Sequence, residues 1–367
     1  MASALRSMSE LRQKIAVAWT RFVLRNDFVF PAYGGLYVRS AGHTLRLRAL
    51  ITSKWSHAGQ GVAYRRIGFG PGISSNDRRT SVLIHRIGRL GNSVIQATNA
   101  AHLAELIGSN SIHYRRFDAI NQRTVLFENG VSLSRLPLIV PAQKPPGTIW
   151  RTDAIYRGGL LFEACSPMAC MVGTTLGRFI LGPAVPREAP LGVLTVHVRS
   201  GDLFGANPHR GYGQPPLSFY TKVLAYKSWT EVVVVAEDCH NPCVLGIEEW
   251  CKVNNVPVSL VLGDIHDALS NISNATSLAA ANGSFSPAAT FLANKAREIF
   301  FFGENPHPLF CKDRCTIYQI SDIDGRYQSL VLDNNWQNSE SQRELMVLYP
   351  EESLSKPMAI SNEIRPQ

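Results

Sequence analysis

From Leu191 onward the chain alternates short apolar runs with amphipathic stretches. Leu191 to Val198 is β-branched and apolar almost throughout, the pattern of a strand covered on both faces. A Gly/Pro-rich loop then leads to a helical stretch from Leu217 to Tyr226. Strand and helix patterns follow in turn: a strand over Glu231 to Ala236, a helix over Val244 to Val253, a strand over Val256 to Leu262 and a helix over Ile265 to Ser277. A last helix runs from Ser286 to near Lys295, and Arg297 to Phe302 adds a strand. This alternation predicts a parallel, doubly wound sheet. Nearer the start, Ser81 to His85 reads as a strand, Gly88 to Asn92 as a turn, Ser93 to Ile107 as a helix capped by Asn92, and Ser111 to Tyr114 as a strand.

The breaks between these patterns suggest the domain plan. Residues 1–80 show little periodicity and end in the polar, Gly-rich run Gly68 to Thr80, so they are expected to form an accessory region and linker. An α/β half over 81–190 follows, with Pro-rich interruptions at Pro137 to Pro146 and Pro183 to Pro190, the second marking a passage between domains. A second α/β half spans 191–335. Beyond about Trp336 the chain turns polar and Glu/Ser-rich, which predicts a peripheral tail over 336–367.

Composition narrows the class. A chain of 367 residues, 45% hydrophobic and 18% charged, is long enough for two domains and is neither disordered nor fibrous. The net charge of +9 is concentrated at one end: residues 1–80 hold 13 Lys or Arg against Glu10, Asp27 and Asp77. Such a segment suits either peripheral contact with an anionic membrane or a solvated extension, and no nucleic-acid motif accompanies it. Nucleic acid is therefore not expected as a partner. Leu11 to Leu24 places Leu11, Ile15, Ala18 and Phe22 on one helical face, suited to an interface.

No run approaches the roughly 18 apolar residues that span a bilayer, and Ile15 to Trp19 is short and flanked by Lys14 and Arg21, so neither signal peptide nor anchor is expected. Seven cysteines, an odd count, argue against a full disulfide framework and fit a reducing compartment. A cytoplasmic protein, peripheral to a membrane through residues 1–80, is the corresponding expectation. The pairs Cys239/Cys243 and Cys311/Cys315 are open to metal ligation or bridging, but lack the two-residue knuckle of most zinc sites. Glycosylation sequons begin at Asn271, Asn274 and Asn282, crowded where a ligand site is expected, and are read as chance matches.

Three motifs carry candidate chemistry. The apolar strand ending at Val198 runs into His197-Val198-Arg199-Ser200-Gly201-Asp202. Period-two alternation puts His197 and Arg199 on one side of that strand, at the carboxyl end where open α/β sheets bind ligands. A guanidinium fork matches a phosphate, and an imidazole can bond a base or sugar hydroxyl; the alternative is an Arg199–Asp202 ion pair beside a structural histidine. The turn Gly88-Arg89-Leu90-Gly91-Asn92 permits close backbone approach, with Asn92 as helix cap or ligand contact. Third, Asn282-Gly283-Ser284-Phe285-Ser286-Pro287 opens a helix, where hydroxyls and backbone N–H groups make a pyrophosphate cradle or, more simply, a cap. Asp264 and Asp267, like Glu237-Asp238, follow strands and suit either a base or ribose contact or ordinary capping.

In chain order, Gly88 to Asn92, His197 to Asp202 and Asn282 to Ser286, the three motifs resemble the fucosyltransferase superfamily, most closely its α1,2 type, over about residues 81 to 302. The sequence Ala236-Glu237-Asp238 followed by Asn241-Pro242 also resembles that family's strand end. Departures are Ser93 in place of a usual Gln, Ser200 in place of a frequent second Arg, and Pro287-Ala288 in place of a common Trp pair; they bear on acceptor choice and on the sugar. The resemblance implies a GT-B-like enzyme, two Rossmann-like halves facing a cleft, that transfers L-fucose from GDP-fucose to a hydroxyl of an oligosaccharide acceptor with inversion and without a metal cofactor. None of the strands recognised above ends in an Asp-x-Asp pair. It also implies roles: Arg199 on the β-phosphate, His197 on guanine or ribose, Ser284, Phe285 and Ser286 around the pyrophosphate, Asp267 on the base, and Asn92 from the other half. Asp202 is the nearest carboxylate that could act as general base, though its place suits a turn holding Arg199. Another nucleotide sugar as donor, or a non-catalytic glycan- or partner-binding module, are the alternatives. Animal and plant members work in the secretory pathway, which keeps that compartment open.

Overall fold

The computed structural model describes residues 36–40, 43–47, 64–67, 81–84, 89–107, 110–114, 124–135, 149–152, 164, 166–182, 190–311 and 313–360. The expected helix over Leu11 to Leu24 lies outside the described residues. The chain divides into two compact units, Met1–Phe162 with Pro167–Phe179, and Glu163–Ser166 with Ile180–Gln367.

In the first unit, β1 (Leu36–Ser40) and β2 (His43–Leu47) pair as an antiparallel hairpin. A six-stranded sheet is built from β3 (Tyr64–Ile67), β4 (Ser81–Ile84), β5 (Ser111–Tyr114), β6 (Thr124–Leu126), β7 (Ser132–Arg135) and β8 (Ile149–Thr152), in the order β3-β8-β4-β5-β7-β6. Its centre, β8-β4-β5-β7, is parallel and its two edges are antiparallel. Residues before 81, expected as an accessory region, thus supply an edge strand. Between β4 and β5 runs α1 (Leu90–Ile107), which packs on both. It starts at Leu90, not Ser93, because Ser93 already bonds back to Arg89 through both its amide and its hydroxyl. Asn92 therefore sits in the first turn and is not the cap. The unit's last described helix is α2 (Pro167–Ile180).

The second unit follows the predicted alternation. Its elements are β9 (Val193–Val198), α3 (Leu217–Leu224), β10 (Glu231–Ala236), α4 (Cys243–Val253), β11 (Val258–Leu262), α5 (Ile265–Asn274), β12 (Ser277–Ala279), α6 (Phe285–Ala293), β13 (Glu298–Phe302), β14 (Thr316–Ile320), α7 (Glu340–Leu348) and β15 (Met358–Ala359). They form a mixed α/β fold around a seven-stranded sheet in the order β11-β10-β9-β12-β13-β14-β15, parallel except for β15. Counting from β9, six strands stand in the order 3-2-1-4-5-6, so the winding reverses between β9 and β12. Alternation sorts the side chains of β9: Leu194, Val196 and Val198 join the core cluster that includes α3, α4 and α7, while Thr195 and His197 face the other way.

Three features depart from expectation. First, the helix predicted to Ser277 stops at Asn274 so that Ser277–Ala279 can become β12. The strand, Ser277-Leu278-Ala279, is only three residues long and buried throughout, and it carries no β-branched residue to signal it. Secondly, residues 336–360 are not a peripheral tail. Trp336 is fully buried and its indole N–H donates to the Leu203 carbonyl at 2.8 Å; Met346, Tyr349 and Leu354 belong to the same core, and Ser339 starts α7 with a capping box. The polar residues that suggested a tail lie on the outer side of this layer. Thirdly, Cys311 is disulfide-bonded while Cys239, Cys243 and Cys315 carry free thiols. Neither spaced pair is thus bridged within itself, and an odd count of seven cysteines is no guide to compartment.

Among the described residues no helix is long and apolar enough to cross a membrane. The buried tail gives a direct prediction: Trp336→Ala should cost about 3–5 kcal/mol, the usual loss for an aromatic core truncation. Urea unfolding measures it, and a change within about 0.5 kcal/mol, typical of surface sites, would return the segment to the periphery.

Candidate functional site

The reversal of winding between β9 and β12 opens a crevice beyond the carboxyl ends of those strands, the place where such sheets bind ligands. Two of the three sequence motifs meet there. His197 ends β9 with its ring 5.6 Å from that of Phe285, at the start of α6. Two residues on, the Arg199 side chain reaches the turn after β12, where Gly283 has a φ of +140°. The backbone conformation favours glycine, and a Cβ on Gly283 would lie 2.9 Å from Arg199 Nη1, so that the guanidinium would have to shift.

The main chain at Arg199 is clasped from the neighbouring strand. The Asn241 side-chain amide donates to the Arg199 carbonyl at 2.9 Å, and the Asn241 backbone N–H donates to Ser200 Oγ at 2.9 Å. Ser200 is fully buried and its hydroxyl donates to Asp238 Oδ1, which also accepts from the backbone N–H groups of His240 at 2.9 Å and Gly201 at 3.4 Å. Burial disfavours charge on Asp238, but bonds from Ser200, His240 and Gly201 outweigh it and hold the carboxyl below its ordinary range. A second arginine could not occupy the closed socket of Ser200. The Glu237-Asp238 carboxylates, read from sequence as ligand or cap, thus include one, Asp238, that holds the strand end together.

Buried polar atoms without a protein partner here include His197 Nδ1, Ser286 Oγ and Gln214 Oε1. Unpaired buried polar groups are costly and call for an explanation, a bound ligand being one. Burial first, and then the charge of Arg199, push the His197 imidazole down to about 3, so it is neutral at physiological pH and can bond a ligand without acting as a cation. Ser284 occupies the cap position of α6 but its side chain makes no capping bond, which removes the simple capping role foreseen for it. Asn282 is held by its amide to the Gly213 carbonyl at 3.0 Å.

The other expected residues lie outside β9 and the turn that opens α6. Asp202 lies in a short 3₁₀ turn, its exposed carboxylate 3.9 Å from Arg199 Nη2, a long ion pair. Asp267 is exposed in the first turn of α5, which Asp264 caps through His266 and Asp267 N–H; β11, which precedes it, is two places from β9. Asn92 belongs to the first unit, half-buried in α1. An Asp-x-Asp pair does follow a strand that the sequence reading passed over: Asp322 and Asp324, after β14. The Tyr349 hydroxyl donates to both, at 2.6 and 3.0 Å, and backbone N–H groups of Gln328 and Arg326 bond one each, a turn-forming arrangement. Tyr212 and Gln214, which contact the site, carried no periodic signal; only their long-range contacts reveal them.

No protein-family model matches the chain, and no curated protein matches it. Among solved structures, the chain is similar to a mutant of Arabidopsis thaliana FUT1 in complex with GDP, at 9% identity and a TM-score of 0.41, over 66% of this chain and 74% of that one. It is also similar to NodZ α-1,6-fucosyltransferase soaked with GDP-fucose and to the same enzyme co-crystallised with GDP, each at 14% identity and a TM-score of 0.35, over 66% of this chain and 95% of that one.

The buried histidine has a measurable consequence. His197 in the unfolded chain takes up its proton near pH 6.5, but in the folded chain only near 3. The stability this site contributes is therefore complete above about pH 6.5 and is lost as pH falls from there toward 3, by about 2 kcal/mol at pH 5. Comparing urea unfolding at pH 7.5 and 5, His197→Leu should lose less stability on acidification than the unmodified chain. Equal losses would show that His197 is not held neutral.

Proposed function

We propose that the crevice between β9 and β12 binds GDP-fucose and that the chain is a GT-B-like glycosyltransferase, moving L-fucose to a hydroxyl of a glycan acceptor with inversion and no metal cofactor, in the manner of the α1,2 type. One observation carries this reading: the two motifs that resemble the family's donor segments, 85 residues apart from His197 to Asn282, converge at the topological switch point with Arg199 against Gly283 and His197 against Phe285.

Each group then has a task. In an inverting transfer the acceptor oxygen bonds to the anomeric carbon as the bond from that carbon to the β-phosphate oxygen breaks; GDP leaves with the electron pair, and the acceptor hydroxyl's proton passes to solvent or to the departing phosphate. Arg199 offers that phosphate a fixed cation as negative charge grows on it. The unpartnered Ser286 hydroxyl and the first turn of α6 suit the pyrophosphate, and Phe285 lines its pocket. His197, neutral, orients guanine or ribose. Asp267 is assigned to the base, and Asn92 to the donor, on the resemblance. Asp202, close to Arg199 but exposed, serves better to restrain that guanidinium than to take the acceptor proton.

Calorimetric titration with GDP tests the donor site. The unmodified chain should bind GDP in preference to UDP, and Arg199→Ala should weaken binding by about 1.5–3 kcal/mol, the range for a charge-assisted contact. Gly283→Ala, which forces Arg199 aside, should weaken it in the same direction, and EDTA should leave transfer from GDP-fucose unchanged. Absence of GDP binding, or indifference to Arg199→Ala, would remove the donor site.

A further inference from the structure

The loop between β9 and α3, which none of the motifs covers, is built against Arg199. The guanidinium carbon lies 4.4 Å from the centroid of the Tyr212 ring, and the arginine side chain is only 17% exposed. A planar cation over an aromatic face is attracted to it, the more so where water is largely excluded. The ring packs against that of His209, centroids 4.6 Å apart, and the backbone that carries it is held. Gln214 is fully buried, and its amide nitrogen donates to the Tyr212 carbonyl at 2.8 Å, to the Asn282 carbonyl at 3.1 Å and to that of Gly213 at 3.3 Å. Asn282 returns a bond to Gly213, and the buried Tyr327 hydroxyl donates to the Gln214 carbonyl at 2.8 Å. The loop is thereby stitched to the turn between β12 and α6, the other wall of the crevice.

We propose that Tyr212 is a positioning residue for Arg199: its ring sets the plane of the guanidinium so that the fork faces a nucleotide phosphate, and Gln214 sets the position of the ring. The inference rests on the donor reading above. An arginine without this support samples several rotamers, and its alignment must be restored at each binding event. The effect is confined to ligands that carry phosphate, because Tyr212 acts on the group that would hold it.

Titrations of the full chain with GDP and with guanosine distinguish the outcomes. Tyr212→Leu should weaken GDP about tenfold, as expected for loss of a partly desolvated cation–aromatic contact, and leave guanosine unchanged. Tyr212→Phe, which keeps the ring, should stay within about twofold of the unmodified chain for both ligands. Should Tyr212→Leu lose its fold, Tyr212→Met, of similar reach without a ring, serves the same comparison. Equal GDP affinity in all variants would overturn the positioning role and leave the donor site standing, as would parallel weakening of GDP and guanosine. No GDP binding by the unmodified chain would overturn both.

Discussion

How the chain leaves β9 decides what the crevice can do. At that point a buried parallel strand must release its last carbonyl and turn, and backbone groups there need partners. Asn241 takes the carbonyl of Arg199, while Ser200, Asp238 and the N–H groups of Gly201 and His240 close the turn. The cation is thus fixed by its main chain before its side chain meets anything. Without that clasp, the alternation that sends Arg199 and His197 away from the Leu194-Val196-Val198 face would not carry through to the strand end.

The same crevice combines opposite electrostatic demands. A guanidinium lies beside an imidazole that burial and the guanidinium's own charge keep neutral. One group suits an anion and the other a neutral hydrogen-bonding edge, a division matched to a nucleotide with a phosphate at one end and a base or sugar at the other. The carboxylates near the site are spread differently: Asp238 is consumed by structural bonds and Asp202 is exposed at the length of a weak ion pair. Arg199 supplies the cation at the switch point, with the Glu237 carboxylate close by over Gly201, and the wall bearing Tyr212 sets the orientation of the guanidinium.

Much of the second unit was legible because its strands are long enough and apolar enough to show their period. Glu231 to Ala236 matches β10 residue for residue, and the His197/Arg199 alternation followed from strand geometry alone. What escaped was short or long-range. β12, Ser277-Leu278-Ala279, is three buried residues with no β-branched side chain, which read as the end of a helix, and β14, with the Asp322/Asp324 turn after it, shows too little pattern to stand out. Trp336 stands in the sequence at the border of a polar stretch, and nothing local shows its burial, which depends on Leu203, 133 residues away. In the first unit, strands of three to five residues with mixed edges leave little periodicity to read. Tyr212 and Gln214 lie in a Gly/Pro-rich loop where pattern says nothing about side-chain placement.

Hydrogen–deuterium exchange of the full chain with and without GDP tests the central claim, that two distant segments form one nucleotide site. The account predicts that GDP slows exchange together in peptides covering residues 199–204 and 281–290, and that Arg199→Ala shifts both effects together to higher GDP concentration. Protection of only one of the two segments, or of neither at saturating GDP, would contradict it.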